Sequence, residues 1–174
     1  LDLWGRIQEI VKADGSIEKY TYDYAGNITS STDGNGNTIQ YKYNSLNKVS
    51  QIIDQAGQAI TYKYDIKGRV ARKIDRNKKV TDFLYNMDDN LLFRKDLATG
   101  VAEKFSYNID GTLKTASSGG VTYSYEYTPR MKIKSKSANG KPILKYKYDK
   151  DNNIVVLKDI TGRQTQYKYD IIGR

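Results

Sequence analysis

Residues 62–70 read Tyr-Lys-Tyr-Asp-Ile-Lys-Gly-Arg-Val, and close copies of this stretch recur along the whole 174-residue chain. The second aromatic residues of successive copies are separated by 21, 21, 21, 22, 18, 23 and 21 residues. A short period that recurs this often indicates one supersecondary unit in tandem. The copies lie near residues 1–7, 20–28, 41–49, 62–70, 83–91, 105–113, 123–131, 146–154 and 167–174.

Each period contains two strand-like segments and two turn signals. Arg6–Lys12 is rich in β-branched residues, Asp14-Gly15 is a strong hairpin signal, and Ser16–Tyr22 forms the returning strand. Asp23 and Gly26 then mark a second turn. No segment is long enough for a helix. The pattern therefore predicts an all-β fold of tandem antiparallel hairpins, about 21 residues each.

Sixteen antiparallel strands are expected from these hairpins. Twisted open sheets rarely exceed about ten strands without curling or splitting. We therefore expect the sheet to curl or spiral, and the whole chain, residues 1–174, to be a single array. Both ends of the sequence fall inside a copy of the repeat, which favours a piece of a longer array.

The alternation of side chains assigns the two faces of the returning strand. Tyr62 and Tyr64 are two residues apart and share a face with Ile60, whereas Lys63 points the opposite way. The predicted structural residues are the aromatic pairs and the Asp and Gly of the turns. They are Tyr20, Tyr22, Asp23, Gly26, Tyr41, Tyr43, Tyr62, Tyr64, Asp65, Gly68, Tyr85, Tyr107, Gly111, Tyr123, Tyr125, Tyr146, Tyr148, Asp149, Tyr167, Tyr169, Asp170 and Gly173.

The residue that follows each Asp-to-Gly turn is apolar and keeps a constant distance from the turn. We expect these residues to pack against the tyrosines. They are Ile7, Ile28, Val49, Val70, Leu91, Leu113, Met131 and Ile154. In three copies another residue replaces the turn glycine or the Gly-Arg pair, which puts those single turns in doubt: Asn47, Asp89-Asn90 and Pro129-Arg130.

Composition narrows the functional classes. The chain has no cysteine and no histidine, which excludes disulfides, the usual zinc sites, thiol nucleophiles and histidine bases. No apolar run is long enough to span a membrane and no signal peptide opens the chain. The net charge of +9 favours anionic partners, although solvated lysines that keep an edge-rich sheet soluble explain the same charge.

Candidate sites for metal binding or catalysis are weak. The stretch Asp33-Gly-Asn35-Gly-Asn37 begins like a calcium loop but has no Gly at its sixth place, and Asn44 stands where a bidentate Glu is needed. Asp88 and Asp89 are neighbours in an extended segment and point apart. Trp4 is interpreted as a packing residue of the first turn. We expect no cofactor, no metal site and no enzymatic activity.

The unit Tyr-x-Tyr-Asp-x-x-Gly-Arg-(Ile/Val/Leu) resembles the YD repeat of the Rhs family, which includes bacterial polymorphic toxins, wall-associated proteins, toxin-complex subunits and teneurins. Residues 62–70 and 167–174 are the best copies. The resemblance implies a hollow β-shell in a secreted or cell-surface protein, with an enclosed toxic domain in the toxins. The paired Asp-Pro-x-Gly motif of the family's self-cleaving core has no counterpart here.

Three functions remain open at this point. The first is a structural module of a shell wall, with the rest of the array and an enclosed toxin domain as partners. The second is a binding module that uses tyrosine faces and lysines to hold a glycan or an anionic wall polymer. The third, nucleic-acid binding, is disfavoured because the basic residues are spread along the array. The predicted location is the cell surface or the exterior of a bacterium, and the absence of cysteine favours a Gram-positive one. Unpaired edge strands also predict edge-to-edge self-association.

Overall fold

A computed structural model describes residues 1–170 and 172–174, and these residues contain β-strands and turns but no helix. The predicted all-β class and its antiparallel hairpins are confirmed. Because the described residues include no helix, none that is long and apolar enough to cross a membrane is found among them.

The chain divides into two compact units. The first comprises Leu1–Phe83 with Asp96–Ala98, and the second comprises Leu84–Lys95 with Thr99–Arg174. Strand β8 crosses the boundary between them. The strands up to that point are β1 (Glu9–Val11), β2 (Ile17–Tyr22), β3 (Ile28–Thr32), β4 (Thr38–Tyr43), β5 (Val49–Ile53), β6 (Ala59–Tyr64), β7 (Val70–Ile74) and β8 (Val80–Tyr85).

The second unit continues with eight strands of the same kind. They are β9 (Leu91–Asp96), β10 (Ala102–Tyr107), β11 (Leu113–Ser118), β12 (Val121–Tyr127), β13 (Ile133–Ala138), β14 (Lys141–Tyr148), β15 (Ile154–Asp159) and β16 (Gln164–Gln166). Within each unit every strand pairs antiparallel with the next one in the chain. The connections are therefore alternating turns, which lie at opposite edges of each unit.

Two classes of turn alternate along the chain. The repeat-boundary turns follow the second aromatic residue of each copy, as in residues 23–27 and 65–69, and the mid-repeat turns join the two strands of one hairpin, as in residues 54–58. In both classes an Asp or Asn begins most of the turns, although Lys12 and Thr128 begin two of them, and a later residue has positive φ. The three turns that the sequence put in doubt all form, because Asn47, Asp89 and Met131 adopt φ of 54°, 64° and 59°.

The register of the sixth copy differs from the prediction. Tyr127, and not Tyr125, pairs with the first residue of the next strand, which is Ile133 and not Met131. Met131 lies inside the turn, where its N–H donates to the Thr128 carbonyl. The preceding hairpin closes with only Gly119-Gly120, both at positive φ, so this repeat is shorter than its neighbours. The copy predicted at residues 123–131 therefore lies two residues later.

Neither unit has a hydrophobic core. Among the described residues no apolar side chain is buried, and Ser135 is the one residue of any kind that is. The accessible surface is 12338 Å², whereas a compact monomer of 19.8 kDa has about 8600 Å². Each unit is thus a single layer of sheet, and contacts between neighbouring hairpins must hold it together.

Candidate functional site

The second tyrosine of each motif closes the base of its own hairpin. Tyr64, at the end of β6, donates its hydroxyl to the Val49 carbonyl at the start of β5, with 2.6 Å between the oxygens. The strand ladder between β5 and β6 ends at Gln51 and Thr61, so this carbonyl lies beyond the last paired residues. The tyrosine supplies the hydrogen bond that the ladder does not.

The same bond recurs in both units, and we call the set the tyrosine–carbonyl ladder. Its donors and acceptors are about 15 residues apart in sequence. The described pairs are Tyr22–Ile7, Tyr43–Ile28, Tyr64–Val49, Tyr107–Leu91, Tyr127–Leu113, Tyr148–Ile133 and Tyr169–Ile154, at 2.6–2.9 Å.

A β-bulge accompanies five of these carbonyls, those of Ile28, Val49, Leu113, Ile133 and Ile154. Tyr64 pairs with Val70 in β7, but Lys63 pairs with Arg72, so Ala71 is the extra residue. The residue after the turn lies opposite the tyrosine in the strand register at this pair, and likewise at Tyr22–Ile28, Tyr43–Val49, Tyr107–Leu113 and Tyr148–Ile154. The bulge increases the local twist and ends regular pairing, which leaves the carbonyl open to the tyrosine hydroxyl of its own hairpin.

Burial changes the titration of these phenols. Desolvation raises the pKa of Tyr43, Tyr64, Tyr127 and Tyr148 above the ordinary value. The hydroxyls therefore stay protonated, as donors, to a higher pH than an exposed tyrosine. The first aromatic residues play a different part. Tyr20 donates to Glu18, and Tyr146 stacks with its neighbour Tyr148 at 6.4 Å between ring centroids.

The motif aspartate is the cap of the repeat-boundary turn. Oδ1 of Asp65 accepts the backbone N–H groups of Lys67 and Arg69, both at 2.9 Å, and Oδ2 accepts Nε of Arg69 at 2.7 Å. The backbone N–H of Arg69, aided by its guanidinium, holds the pKa of Asp65 below its ordinary value. The Asp and the Arg of the motif thus belong to one turn.

The basic residue of one turn also reaches the following repeat. Arg6 donates to the Asp23 carbonyl at 3.0 Å and lies over the rings of Trp4 and Tyr22, 4.9 and 4.6 Å from the centroids. Trp4 contacts the edge of Tyr24 at 6.2 Å between centroids. Despite these two neighbours, 68% of the surface of Trp4 is exposed.

The glycine of the motif has positive φ and lies against a lysine side chain of the preceding repeat. Gly68 has φ of 76°, and a Cβ at this position would lie 2.6 Å from Cε of Lys48, which crosses it from the preceding repeat. Lys48 then ends 5.8 Å from the centroid of Tyr64. Turn, glycine and cation therefore couple successive hairpins at the same edge as the tyrosine–carbonyl ladder.

The remaining candidates behave as turn or face residues. Oδ1 of Asp33 accepts the backbone N–H groups of Asn35 and Asn37, so its carboxylate is engaged within its own turn. No cluster of metal-binding side chains occurs among residues 1–170 and 172–174. Every motif tyrosine before β16 is half-buried, including Tyr41, Tyr62, Tyr85, Tyr123 and Tyr125.

The mid-repeat aspartates are functional residues that the sequence reasoning missed. Asp54, Asp75 and Asp33 cap mid-repeat turns as Asp65 caps its boundary turn. An Asp or Asn every 10 or 11 residues, from Asp23 to Asp96, was the available signal. The true period of the turn is therefore half of the repeat.

Comparison with known proteins agrees with this geometry. Residues 2–38 match the sequence model of the RHS repeat, whereas no curated protein matches. The fold resembles a chain of the Photorhabdus luminescens Tc holotoxin pore, with a TM-score of 0.72 and 14% identity over 89% of this chain and 10% of that one. It also resembles TcdB2-TccC3 without its hypervariable C-terminal region, with a TM-score of 0.76 and 13% identity over 93% and 10%.

These likenesses are likenesses of fold, and the chain spans about a tenth of the length of either structure. Residues 2–38 contain two complete boundary turns with their aspartate caps, and one tyrosine–carbonyl pair and one bulge. The same contacts recur through the rest of the described chain. Residues 2–38 therefore match the Rhs repeat in sequence, and the rest of the described chain is similar to them in its contacts.

Proposed function

We propose that the chain is a stretch of the wall of a hollow β-shell in an exported bacterial protein, and that the complete shell encloses or presents a toxic domain. The tyrosine–carbonyl ladder is the observation that carries this proposal. It fastens each hairpin without a core, so the sheet gains length by adding repeats while it stays one layer thick. A thin wall of that kind leaves space on one side for cargo.

The proposed role is structural and not enzymatic. It requires the further repeats of the parent protein as partners, because a wall of this length covers only part of any enclosure. A secreted or cell-surface location accompanies the role. The Gram-positive origin suggested by the missing cysteines remains a prediction from composition.

Imaging the complete parent protein by cryo-electron microscopy tests the proposal. We expect these repeats in a closed wall, with density for another part of the protein inside it. An extended array with no enclosed volume would refute the shell. A closed shell whose interior holds no other domain would refute the encapsulation part alone.

A specific observation favours a second candidate, which is binding of an anionic wall polymer. Lys145 in β14 and Lys158 in β15 lie directly opposite each other, on the face away from the tyrosines. Like charges in this arrangement are destabilising. Lys147 shares that face, and none of the three has an ion pair among the described residues.

This arrangement changes the form of the binding hypothesis. Lys145, Lys147 and Lys158 lie on the face away from the tyrosines, so these three lysines form no joint site with the tyrosines of their strands. Lys136 is different, because its Nζ lies 4.2 Å from the centroid of the Tyr123 ring. The lysine face offers point charges, which suit phosphate groups. Binding of a poly(glycerol phosphate) chain should weaken at least tenfold in a Lys145→Gln, Lys147→Gln, Lys158→Gln variant. It should change little when Lys132 and Lys150 in boundary turns and Lys141 at the start of β14 become Gln. Equal losses in both variants would reduce the interaction to net charge.

A further inference from the structure

The repeat-boundary turns of the first unit expose large apolar side chains. Leu3 is 98%, Tyr24 96% and Ile66 102% exposed, each at the first position after the Asp of its turn. Trp4 and Leu46 occupy the second position and are 68% and 60% exposed. Each of the four boundary turns in this unit therefore presents at least one, and we call these five side chains the apolar row.

The turn itself does not require apolar residues at these positions. The mid-repeat turn of Asp54 has the same hydrogen bonds as the boundary turn of Asp65. The backbone N–H of the aspartate donates to the carbonyl of the fifth turn residue, at 3.0 Å in the Asp54 turn and 2.9 Å in the Asp65 turn. The backbone N–H of that fifth residue donates to Oδ1 of the aspartate, at 2.9 Å in both turns. Yet the residues after Asp33, Asp54 and Asp75 at the mid-repeat edge are Gly34, Gln55 and Arg76, and only Asp96 of this unit is followed there by an apolar residue, Leu97. Since turns with the same hydrogen bonds form with polar residues at these positions, the apolar row is not needed to form the turns.

A group of large apolar side chains exposed together marks an interaction site more often than single exposed apolar residues do. The row repeats once per hairpin, or about 10 Å at two strand spacings. A partner that covers it needs apolar groups at the same interval. A second copy of the same edge offers them, and two such rows related by a two-fold axis are self-complementary.

The charge of this edge permits self-association. The four turns, residues 2–6, 23–27, 44–48 and 65–69, contain three acidic and four basic residues, a net charge of +1, whereas the whole chain carries +9. Asp2–Arg6 and Asp65–Arg69 are ion pairs within their own turns. Two copies therefore approach each other here with little repulsion. The same near-neutrality disfavours an anionic membrane surface, which attracts clusters of basic residues.

The size of the row sets the strength of the contact. Five large apolar side chains bury roughly 600–700 Å² on each partner if fully covered, slightly less than the ~800 Å² of a standard interface. A weak dimer is expected from one chain, and a stronger contact from a longer run of repeats. We propose that the apolar row is an interface between two runs of these repeats, formed in solution by two copies of this chain. The proposal is independent of any enclosed toxic domain.

Sedimentation velocity of the 174-residue chain, from micromolar to millimolar concentration, tests this interface. The variant is Leu3→Gln, Tyr24→Gln, Ile66→Gln, since Gln55 already occupies the same position in an identical turn. The control places three polar substitutions at the other edge: Asn35→Gln, Gln55→Asn and Asn77→Gln. Circular dichroism should show the same strand content in all three proteins.

We expect the parent and the control to dimerise with increasing concentration, and the variant to dimerise at least tenfold more weakly. A parent chain that stays monomeric throughout would overturn the proposal. A variant that associates like its parent would overturn it too, and would assign association to unpaired strand edges. Flotation with neutral and anionic lipid vesicles covers the membrane alternative. Vesicle binding that the variant loses, without dimerisation of the parent, would replace the proposed partner by lipid.

Discussion

Removing one hydroxyl from the tyrosine–carbonyl ladder should open one hairpin. In Tyr64→Phe the ring keeps its place, but the Val49 carbonyl loses its partner. A net hydrogen bond contributes about 0.5–1.5 kcal/mol, and this carbonyl is only part-buried, so water compensates in part. We expect a local loss of about 1 kcal/mol, centred on β5 and β6.

Hydrogen exchange is the suitable assay because unfolding of a repeat array need not be two-state. A loss of about 1 kcal/mol speeds exchange about fivefold for amides that open with this hairpin. Amides of the hairpin β1–β2 should keep their rates, since each repeat depends mainly on its neighbours. Tyr64→Ala should cost more, although its half-buried ring keeps the loss below the 3–5 kcal/mol typical of a fully packed aromatic residue.

Tyr62→Phe provides the matched control. Tyr62 lies on the same strand and face as Tyr64, and its hydroxyl makes no hydrogen bond with any described residue. Its loss should change local stability by no more than about 0.5 kcal/mol. If Tyr62→Phe opened the hairpin as much as Tyr64→Phe, the ladder would not be the element that closes it.

Three further predictions concern the glycine, the tyrosines and the aspartate of the repeat-boundary edge. Gly57→Ala and Gly68→Ala both place Cβ at positive φ, but only the second meets Lys48, so chemical denaturation should show a larger loss for Gly68→Ala; equal losses would dismiss that contact. The pKa values of Tyr64, Tyr43, Tyr127 and Tyr148 are raised in the folded chain, so their contribution to folding stability is fully present below about pH 10. That stability is lost as the pH rises through the folded pKa, and circular dichroism should then show loss of strands together with the appearance of phenolate absorbance. The pKa of Asp65 is lowered in the folded chain, so its contribution to folding stability is present above the usual Asp pKa and is lost as the pH falls. Asp65→Asn should make the stability of this turn less sensitive to acid, as measured by hydrogen exchange of its amides.

The periodicity of the sequence was sufficient for the fold class. Alternation along the returning strand placed Tyr62 and Tyr64 on one face and Lys63 on the other, as their partners Lys73, Val70 and Arg72 confirm. These are local rules of strand geometry, and they hold without knowledge of the neighbouring hairpins. For the same reason the two strands and two turns of each period were predictable.

The register of the sixth copy was not predictable in that way. Three tyrosines, Tyr123, Tyr125 and Tyr127, alternate on one face, and alternation alone does not say which one closes the hairpin. The choice depends on reaching the Leu113 carbonyl, and Tyr127 makes that bond. Such a contact joins residues far apart in sequence, so it appears only when the strands are paired.

The absence of a core explains why the residues of the motif are concentrated at one edge of the sheet. With no buried apolar side chain among the described residues, a hairpin gains little from hydrophobic burial and depends on directional contacts with its neighbours. The bulge frees the carbonyl, the tyrosine of the same hairpin binds it, the aspartate fixes the turn, and the glycine admits the cation of the preceding repeat. Each contact involves residues of the motif, whereas the strand positions between motifs make none of them. The coupling between successive hairpins is therefore concentrated at the edge that carries the boundary turns, and the strand positions add only cross-strand contacts such as the Arg72–Asp82 ion pair.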